Sequence, residues 1–311
     1  MNYHEITTKS ALHKLRPGRL PYNWDLNIYR GCRHRCRYCY AMYSHDYLAS
    51  GSSKKAGDQK SVEGKFFDEV FAKTNIAEVL GKELSRKSWR KEIVNLGGVT
   101  DSYQAVEERY GLTRKVLEVI LKHKNPIILS TKSNVILRDL DLLSNLSKVA
   151  YVGLAITITT ADENVCKKIE PHAITSAERF RVLQQLSANT NAAVGLHMMP
   201  ILPFITDSAE NIEVLFKNAR EASVDYVLCG SLNLIGKTRK SFLTFVQQEF
   251  SEHHEKYQKI YSGEWNAKKD YREKLYQTIV NPLRMKYGFQ KSGQKVMEDR
   301  MAEFGGQGRL F

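Results

Sequence analysis

Apolar positions along this chain follow two periods, and the alternation between them predicts its architecture. Short runs rich in β-branched residues read as buried strands at residues 26–29, 92–96, 126–130, 149–159, 192–199 and 224–229. Between them the spacing changes to that of a helix face: Ile76, Val79, Leu80 and Leu84, then Leu112, Val116, Val119 and Ile120, then Ile212, Leu215, Phe216 and Ala219. A further helix is predicted to open at Thr175, with Glu178 three positions on as the other half of a capping box. Six buried strands alternating with helices predict parallel βα units, because a strand apolar on both faces needs helices over it. Right-handed connections would curl those units into an α/β fold, a partial (β/α)6 TIM-like barrel. In such a barrel function gathers at the C-terminal strand ends. A cysteine-rich loop, Gly97-Gly98, Thr131-Lys132-Ser133, residues 157–160 and Met198-Met199-Pro200 all fall there.

Outside the predicted core, residues 26–235, the pattern differs. Residues 1–25 read as an irregular, polar and basic N-terminal arm, with Pro17 and Pro21 opposing helix. Residues 49–60 are rich in Gly, Ser and Lys and read as a mobile loop. Residues 236–311 read as a helical C-terminal extension, a basic cap and tail with fifteen Lys or Arg against nine Asp or Glu. Tyr257, Tyr261, Trp265, Tyr271 and Tyr276 are interleaved with those bases. Such aromatics stack on unpaired nucleobases or form the packed face of helices over a barrel end, and packing is the commoner fate. At 311 residues, 42% hydrophobic and 26% charged, the chain has the composition of a soluble globular protein of barrel size. No apolar run reaches membrane-spanning length. The net charge of +13 points to a polyanionic partner, most simply DNA or another nucleic acid.

The chemistry concentrates in one loop. Cys32, Cys36 and Cys39 are spaced C-x3-C-x2-C, with Tyr38 just before the third thiol. An electron-transfer four-iron cluster takes four thiolates, so three would leave one iron without a protein ligand. An open coordination position marks a catalytic metal site rather than a structural one. Three thiols with His34 or His45 also fit a Cys3His zinc module in a nucleic-acid-binding protein. A disulfide is opposed by the odd count of five cysteines and by the absence of a secretory signal, which also predicts a cytoplasmic protein. Arg30, Arg33, Arg35 and Arg37 surround the loop, either to balance cluster charge or to grip phosphates beside it.

With the aromatic before its third cysteine, the loop resembles that of the radical S-adenosylmethionine (SAM) superfamily. Several blocks resemble its spore photoproduct lyase-like branch (DNA repair photolyase-like): Pro21-Tyr22-x-Trp24, Tyr29-Arg30-Gly31-Cys32, Thr100-Asp101-Ser102-Tyr103-Gln104 with Glu107, and Ser130-Thr131-Lys132-Ser133 with Arg138-Asp139-Leu140-Asp141-Leu142-Leu143. Residues 157–160 with Glu170-Pro171-His172, and Pro200-Ile201-Leu202-Pro203, extend the likeness to about residue 235. The resemblance implies a 4Fe-4S cluster on Cys32, Cys36 and Cys39, with SAM chelating the fourth iron. One electron from an external flavodoxin- or ferredoxin-type donor would then cleave SAM to a 5′-deoxyadenosyl radical. It also implies that the Tyr38 carbonyl meets the adenine, Gly97 and Gly98 line the methionine end, Lys132 and Ser133 contact the carboxylate or ribose, and Thr157 or Thr159 meets the ribose. The expected substrate is a nucleic-acid base or lesion; the rival within enzymes is maturation of a peptide, protein or small metabolite. One departure stands out. Spore photoproduct lyases carry a further hydrogen-donor cysteine after the triplet, whereas this chain has none between Cys39 and Cys166. Cys229, at a predicted strand end, is a candidate replacement or a buried inert thiol, and His197 is a candidate acid/base or a core histidine. Finally, Gln307, Leu310 and Phe311 resemble the short terminal peptides that dock on bacterial sliding clamps.

Overall fold

The computed structural model describes residues 2–16, 18, 20–45 and 62–304. The predicted loop at 49–60 and the clamp-like Gln307, Leu310 and Phe311 lie outside them. Among the described residues there are ten strands: β1 (Asn2–Ile6), β2 (Leu12–Lys14), β3 (Trp24–Leu26), β4 (Tyr29–Arg30), β5 (Glu69–Lys73), β6 (Val94–Leu96), β7 (Ile127–Thr131), β8 (Val152–Thr157), β9 (Ala193–Ile201) and β10 (Tyr226–Ser231). Seven form one sheet in the order β10-β9-β8-β7-β6-β3-β2. Its first six members pair in parallel, and β2 alone is antiparallel, at the edge. Helices follow β6 to β10 as predicted, including Ser176–Asn189, which opens on the capping box of Thr175 and Glu178. The α/β class and the six parallel strands of the barrel are borne out.

Two details correct the sequence reading. The N-terminal arm is not irregular: β1 pairs in parallel with β5, and β2 extends the barrel sheet. The run at 26–29 is not one strand. It breaks at Asn27, where the side-chain oxygen accepts from Val99 N at 2.9 Å and the backbone carbonyl accepts from Lys73 Nζ at 2.7 Å. The chain thereby passes from the barrel strand β3 to β4, which joins a separate three-stranded sheet, β1-β5-β4.

Alternation fixes which side chains face inward. Leu96, Leu129, Leu154, Ile156, Leu196, Met198, Val227 and Cys229 share one core with Leu117, Leu146, Leu183 and Phe216 of the surrounding helices. Their alternates, Asp25, Asn95, Ser130, Thr157, Gly195 and His197, therefore face the barrel interior. The C-terminal extension works in three pieces. Lys237–Glu249 and the helices after it pack against Cys36 and Tyr38. Tyr276 and Arg284 cover β10 from outside, donating to the carbonyls of Cys229 and Val227. Gly293–Ala302 closes the bottom of the barrel, with Val296, Met297 and Met301 packed on Tyr151, Ala193 and Tyr226. No helix among the described residues is long and apolar enough to cross a membrane.

Candidate active site

β4 delivers the chain directly into the cysteine loop. Gly31 turns at φ +84°, and a Cβ there would stand 2.4 Å from the carbonyl oxygen of Glu69, so only glycine fits the turn against β5. Two residues of the Thr100–Gln104 segment clamp the loop that follows. Thr100 Oγ1 donates to Gly31 O at 2.7 Å, Gln104 Nε2 donates to the same carbonyl at 3.0 Å, and Arg33 N donates to Gln104 Oε1 at 3.0 Å. Both side chains are buried. Buried polar groups need partners, and here the partners are the loop's own backbone.

Asp101 is the centre of a second network. Its carboxylate accepts from Tyr103 N at 2.8 Å, Thr131 Oγ1 at 2.7 Å and Lys132 N at 3.0 Å, and lies 2.9 Å from His34 Nε2. Burial alone would raise its pKa; the charge and hydrogen bond of His34 and the other donors outweigh it and hold the carboxyl at about 2. Asp101 thus ties the cysteine loop, through His34, to the end of β7.

A third network lies across the barrel. Glu170 and Arg179 form a fully buried ion pair at 2.5 Å. Tyr38 donates its hydroxyl to Glu170, and Thr159 Oγ1 donates to the same carboxylate at 3.3 Å. Arg179 also donates to the carbonyls of Ile174 and Thr157, each at 2.9 Å. Lys132 Nζ stands 5.8 Å from the centre of the Tyr38 ring. Burial disfavours its charge, but Cys36 and Glu170 more than offset that and raise its pKa. Lys132, Tyr38, Thr159, Glu170 and the cysteine loop therefore meet at one barrel mouth.

Gly97 and Gly98 form the turn after β6. Gly97 has φ +94°, and a Cβ on Gly98 would lie 2.1 Å from Asp25 Oδ2. Asp25 is buried and also accepts from Asn95 Nδ2 at 2.8 Å; desolvation raises its pKa. Tyr40, beside Cys39, donates its hydroxyl to Gly98 O. This second glycine turn is thereby joined to the cysteine loop.

The remaining predicted residues divide. His197 faces inward, with Nε2 3.3 Å from the Tyr226 hydroxyl; burial, then Lys132, depresses its pKa to about 4, so it is neutral at neutral pH. Thr157 is buried on the inward face of β8. Ser133 accepts from Val135 N at 3.2 Å and shapes the turn after β7. Cys229 is not in the interior. Its position in the alternation turns it outward into the core, beside Tyr276 and Arg284, and burial pushes its thiol up to about 11. Of the two readings of Cys229, hydrogen donor at the site or buried inert thiol, strand register opposes the first and agrees with the second. Sequence reasoning offered His34 only as a zinc ligand and Asp101 only within a family block, missed their pairing, and gave no role to Asp25 or Arg179. Arg179 left one trace, because it occupies the apolar stripe of its helix with Leu183 and Leu186, where a charge needs a buried partner.

The donor set can be tested against a cluster. Cys32 and Cys36 are buried and Cys39 nearly so, and all three are free thiols. Burial raises their pKa values, that of Cys32 to about 12, and each thiolate would feel its neighbours. Thiolates confined together in this way need a cation. Backbone N–H groups of His34 and Asp101 face the sulfur of Cys32, and those of Ala41 and Met42 face Cys39. Such hydrogen bonds to sulfur tune iron–sulfur sites. His34 is engaged by Asp101, and His45 packs edge-on against Phe66 and Phe71. Among the described residues no three His, Cys, Asp or Glu side chains converge on one ion. With both histidines so engaged, the loop offers three thiols and no ready histidine, the donor set of a cube ligated one iron per cysteine.

Residues 26–230 match the model of the Radical SAM superfamily. An uncharacterized protein of Mycobacterium tuberculosis is 33% identical over 291 residues, covering 92% of this chain and 81% of its own length. One from Methanocaldococcus jannaschii is 28% identical, covering 81% of this chain and 86% of its own. Among solved structures, spore photoproduct lyase complexed with dinucleoside spore photoproduct superposes with a TM-score of 0.64 at 11% identity, covering 91% of this chain and 79% of that one. A mutant of that lyase with bound AdoMet and dinucleoside spore photoproduct gives 0.57 at 12% identity, over 78% and 66%. The fold is that of the lyase, and the family uses a 4Fe-4S cluster and SAM. By its sequence, its barrel and its three-thiol loop, this chain belongs to the radical SAM superfamily and is an enzyme of that class.

Proposed function

We propose that the chain acts on a nucleic-acid base or lesion, with Cys32, Cys36 and Cys39 as the cluster ligands. When bound, cluster and SAM supply a one-electron cleavage that yields a carbon radical able to take hydrogen from substrate. The protein's part is positional. Gly97 and Gly98 bring backbone close to the methionine end, Lys132 offers a compact charge for its carboxylate, and Tyr38, held by Glu170, presents its backbone to the adenine. Thr157 or Thr159 would meet the ribose. An external one-electron donor of flavodoxin or ferredoxin type feeds the site.

The observation that carries the substrate class is the cationic rim of the cysteine loop. Burial depresses the pKa of His172, and the charges of Arg35, Arg33 and Arg37, half-buried around the loop, depress it further. Arg33 packs over Tyr3 and donates to its hydroxyl, and Arg35 packs over Phe67 and pairs with Asp68. The positive charge of the rim beyond that one ion pair is what phosphates beside a reacting base would meet. The related lyase fold is known with a dinucleoside photoproduct bound. The absence of a cysteine between Cys39 and Cys166, together with the outward Cys229, sets this reaction apart from the lyase's own hydrogen return.

The test is anaerobic purification, an iron and zinc count, and 5′-deoxyadenosine release with dithionite and SAM, with and without single-stranded or ultraviolet-damaged DNA. Several irons per chain, turnover abolished in Cys36→Ala, and stimulation by DNA are expected. SAM cleavage indifferent to every nucleic acid, or stimulated by a peptide instead, would refute the substrate class.

A further inference from the structure

The five aromatic side chains interleaved with bases in the C-terminal extension do not share one fate. Tyr257 and Tyr261 are fully buried and stack on each other with ring centres 5.8 Å apart. Tyr261 donates to Leu232 O at 2.9 Å, Tyr271 to Asp207 Oδ2 at 2.6 Å and Tyr276 to Cys229 O at 2.9 Å. Those four are packing. Trp265 is 49% exposed, and beside it Ile235 is 46% exposed.

Exposure here does not come from a loose loop. Leu234 N donates to Trp265 O at 2.7 Å, and Asn233 bridges Asn266, so the Trp265 segment is laced to the exit of β10. Arg239 donates to Glu264 O at 2.8 Å and Tyr261 O at 2.5 Å. Thr238, next to Arg239, donates its hydroxyl to Cys39 O at 3.1 Å. One helical turn therefore holds both the tryptophan loop and the cysteine loop. An exposed tryptophan is thereby carried on an anchored backbone that shares its support with the cysteine loop, with Lys240 and Lys268 exposed on the same segments.

Resting on the nucleic-acid reading above, we infer that Trp265 is a stacking platform for an unpaired nucleobase adjoining the nucleotide in the barrel. A rigid aromatic gains a base face at little ordering cost, and every base has such a face, so the contact is tolerant of sequence. The lysines and the net charge of +13 supply the complementary attraction for the phosphates. Ile235 extends the apolar surface beneath the base.

The experiment is fluorescence anisotropy of a short labelled single-stranded oligothymidine with the anaerobic holoenzyme, over a salt series. Trp265→Ala is expected to weaken binding by about tenfold or more, with the salt slope unchanged because no phosphate contact is lost. Trp265→Phe is expected to restore most of it. Iron content and melting temperature verify that each variant folds. Intrinsic fluorescence gives a second readout: Trp24 and Trp89 pack against each other at 5.3 Å, so quenching by the oligonucleotide is expected to vanish in Trp265→Phe. Tight binding unaltered in Trp265→Ala would overturn the platform and leave the nucleic-acid reading standing. No binding by the unaltered enzyme would overturn both.

Discussion

The two ends of the barrel are built on opposite principles. At the bottom, Tyr151, Ala193, Tyr226, Val296, Met297 and Met301 close the sheet with apolar area, and the stabilisation scales with surface removed from water. At the mouth, at the strand ends and in the segments that follow them, lie Thr100, Asp101, Gln104, Thr131, Glu170 and Arg179, all buried and polar. Apolar packing tolerates small adjustments of shape, whereas a buried hydrogen-bond network holds only when every member is satisfied. The mouth therefore gives up adaptability for position. Position is what the proposed cluster site needs, because the thiol loop after β4, the glycine turn after β6 and Lys132 after β7 would have to meet one cofactor from three strands.

The largest expected effect tests the mouth. Arg179→Met would leave Glu170 buried without its ion-pair partner, held only by Tyr38, Thr159 and the more distant charge of Lys132, at a cost of about 3–5 kcal/mol. The double variant with Glu170→Gln is expected to recover most of that loss. Urea unfolding of the single and double variants measures both, and a single-variant cost near zero would show that the pair is not a structural necessity. Next comes the floor. Met297, 4% exposed, should cost about 2–4 kcal/mol when cut to Ala. Iron loading of the cysteine loop should stay unchanged, since no polar contact of the mouth is touched. Loss of iron in Met297→Ala would mean that the two ends are coupled.

How much of this was legible beforehand follows from the same contrast. Apolar periodicity announced the six barrel strands and their helices, because burial on both faces leaves continuous runs such as residues 152–157. It missed β1 and β5, short and partly exposed strands whose pattern is set by pairing with each other. The cysteine triplet stood out because chemistry dictates its residue type and spacing locally, whereas Gly97, Gly98 and Lys132 were singled out by their strand-end positions and by the family resemblance. The partners that hold them were not. His34 meets Asp101 across 67 positions and Tyr38 meets Glu170 across 132, and nothing local marks such pairings. The choice between the two readings of Cys229 stayed open for a simpler reason: a one-residue step along a strand reverses the face, and strand ends are the least sharply defined part of an apolar run.

The smallest effect sharpens the comparison where the two ends meet. His197 stands between them, against Tyr226 of the floor and within the field of Lys132 at the mouth. Burial first, then Lys132, depresses its pKa from 6.5 to about 4. The unfolded chain therefore binds a proton at this histidine that the folded chain refuses. Its contribution is fully present above the unfolded value near 6.5 and is lost as pH falls toward 4. Replacing His197 by Gln removes the titration while keeping a polar side chain of similar length. Unfolding free energies at about pH 7 and about pH 5 should fall more in the unaltered protein than in His197→Gln. Parallel pH profiles would mean that water reaches the imidazole in the folded state, and the polar mouth would then extend down to the aromatic floor.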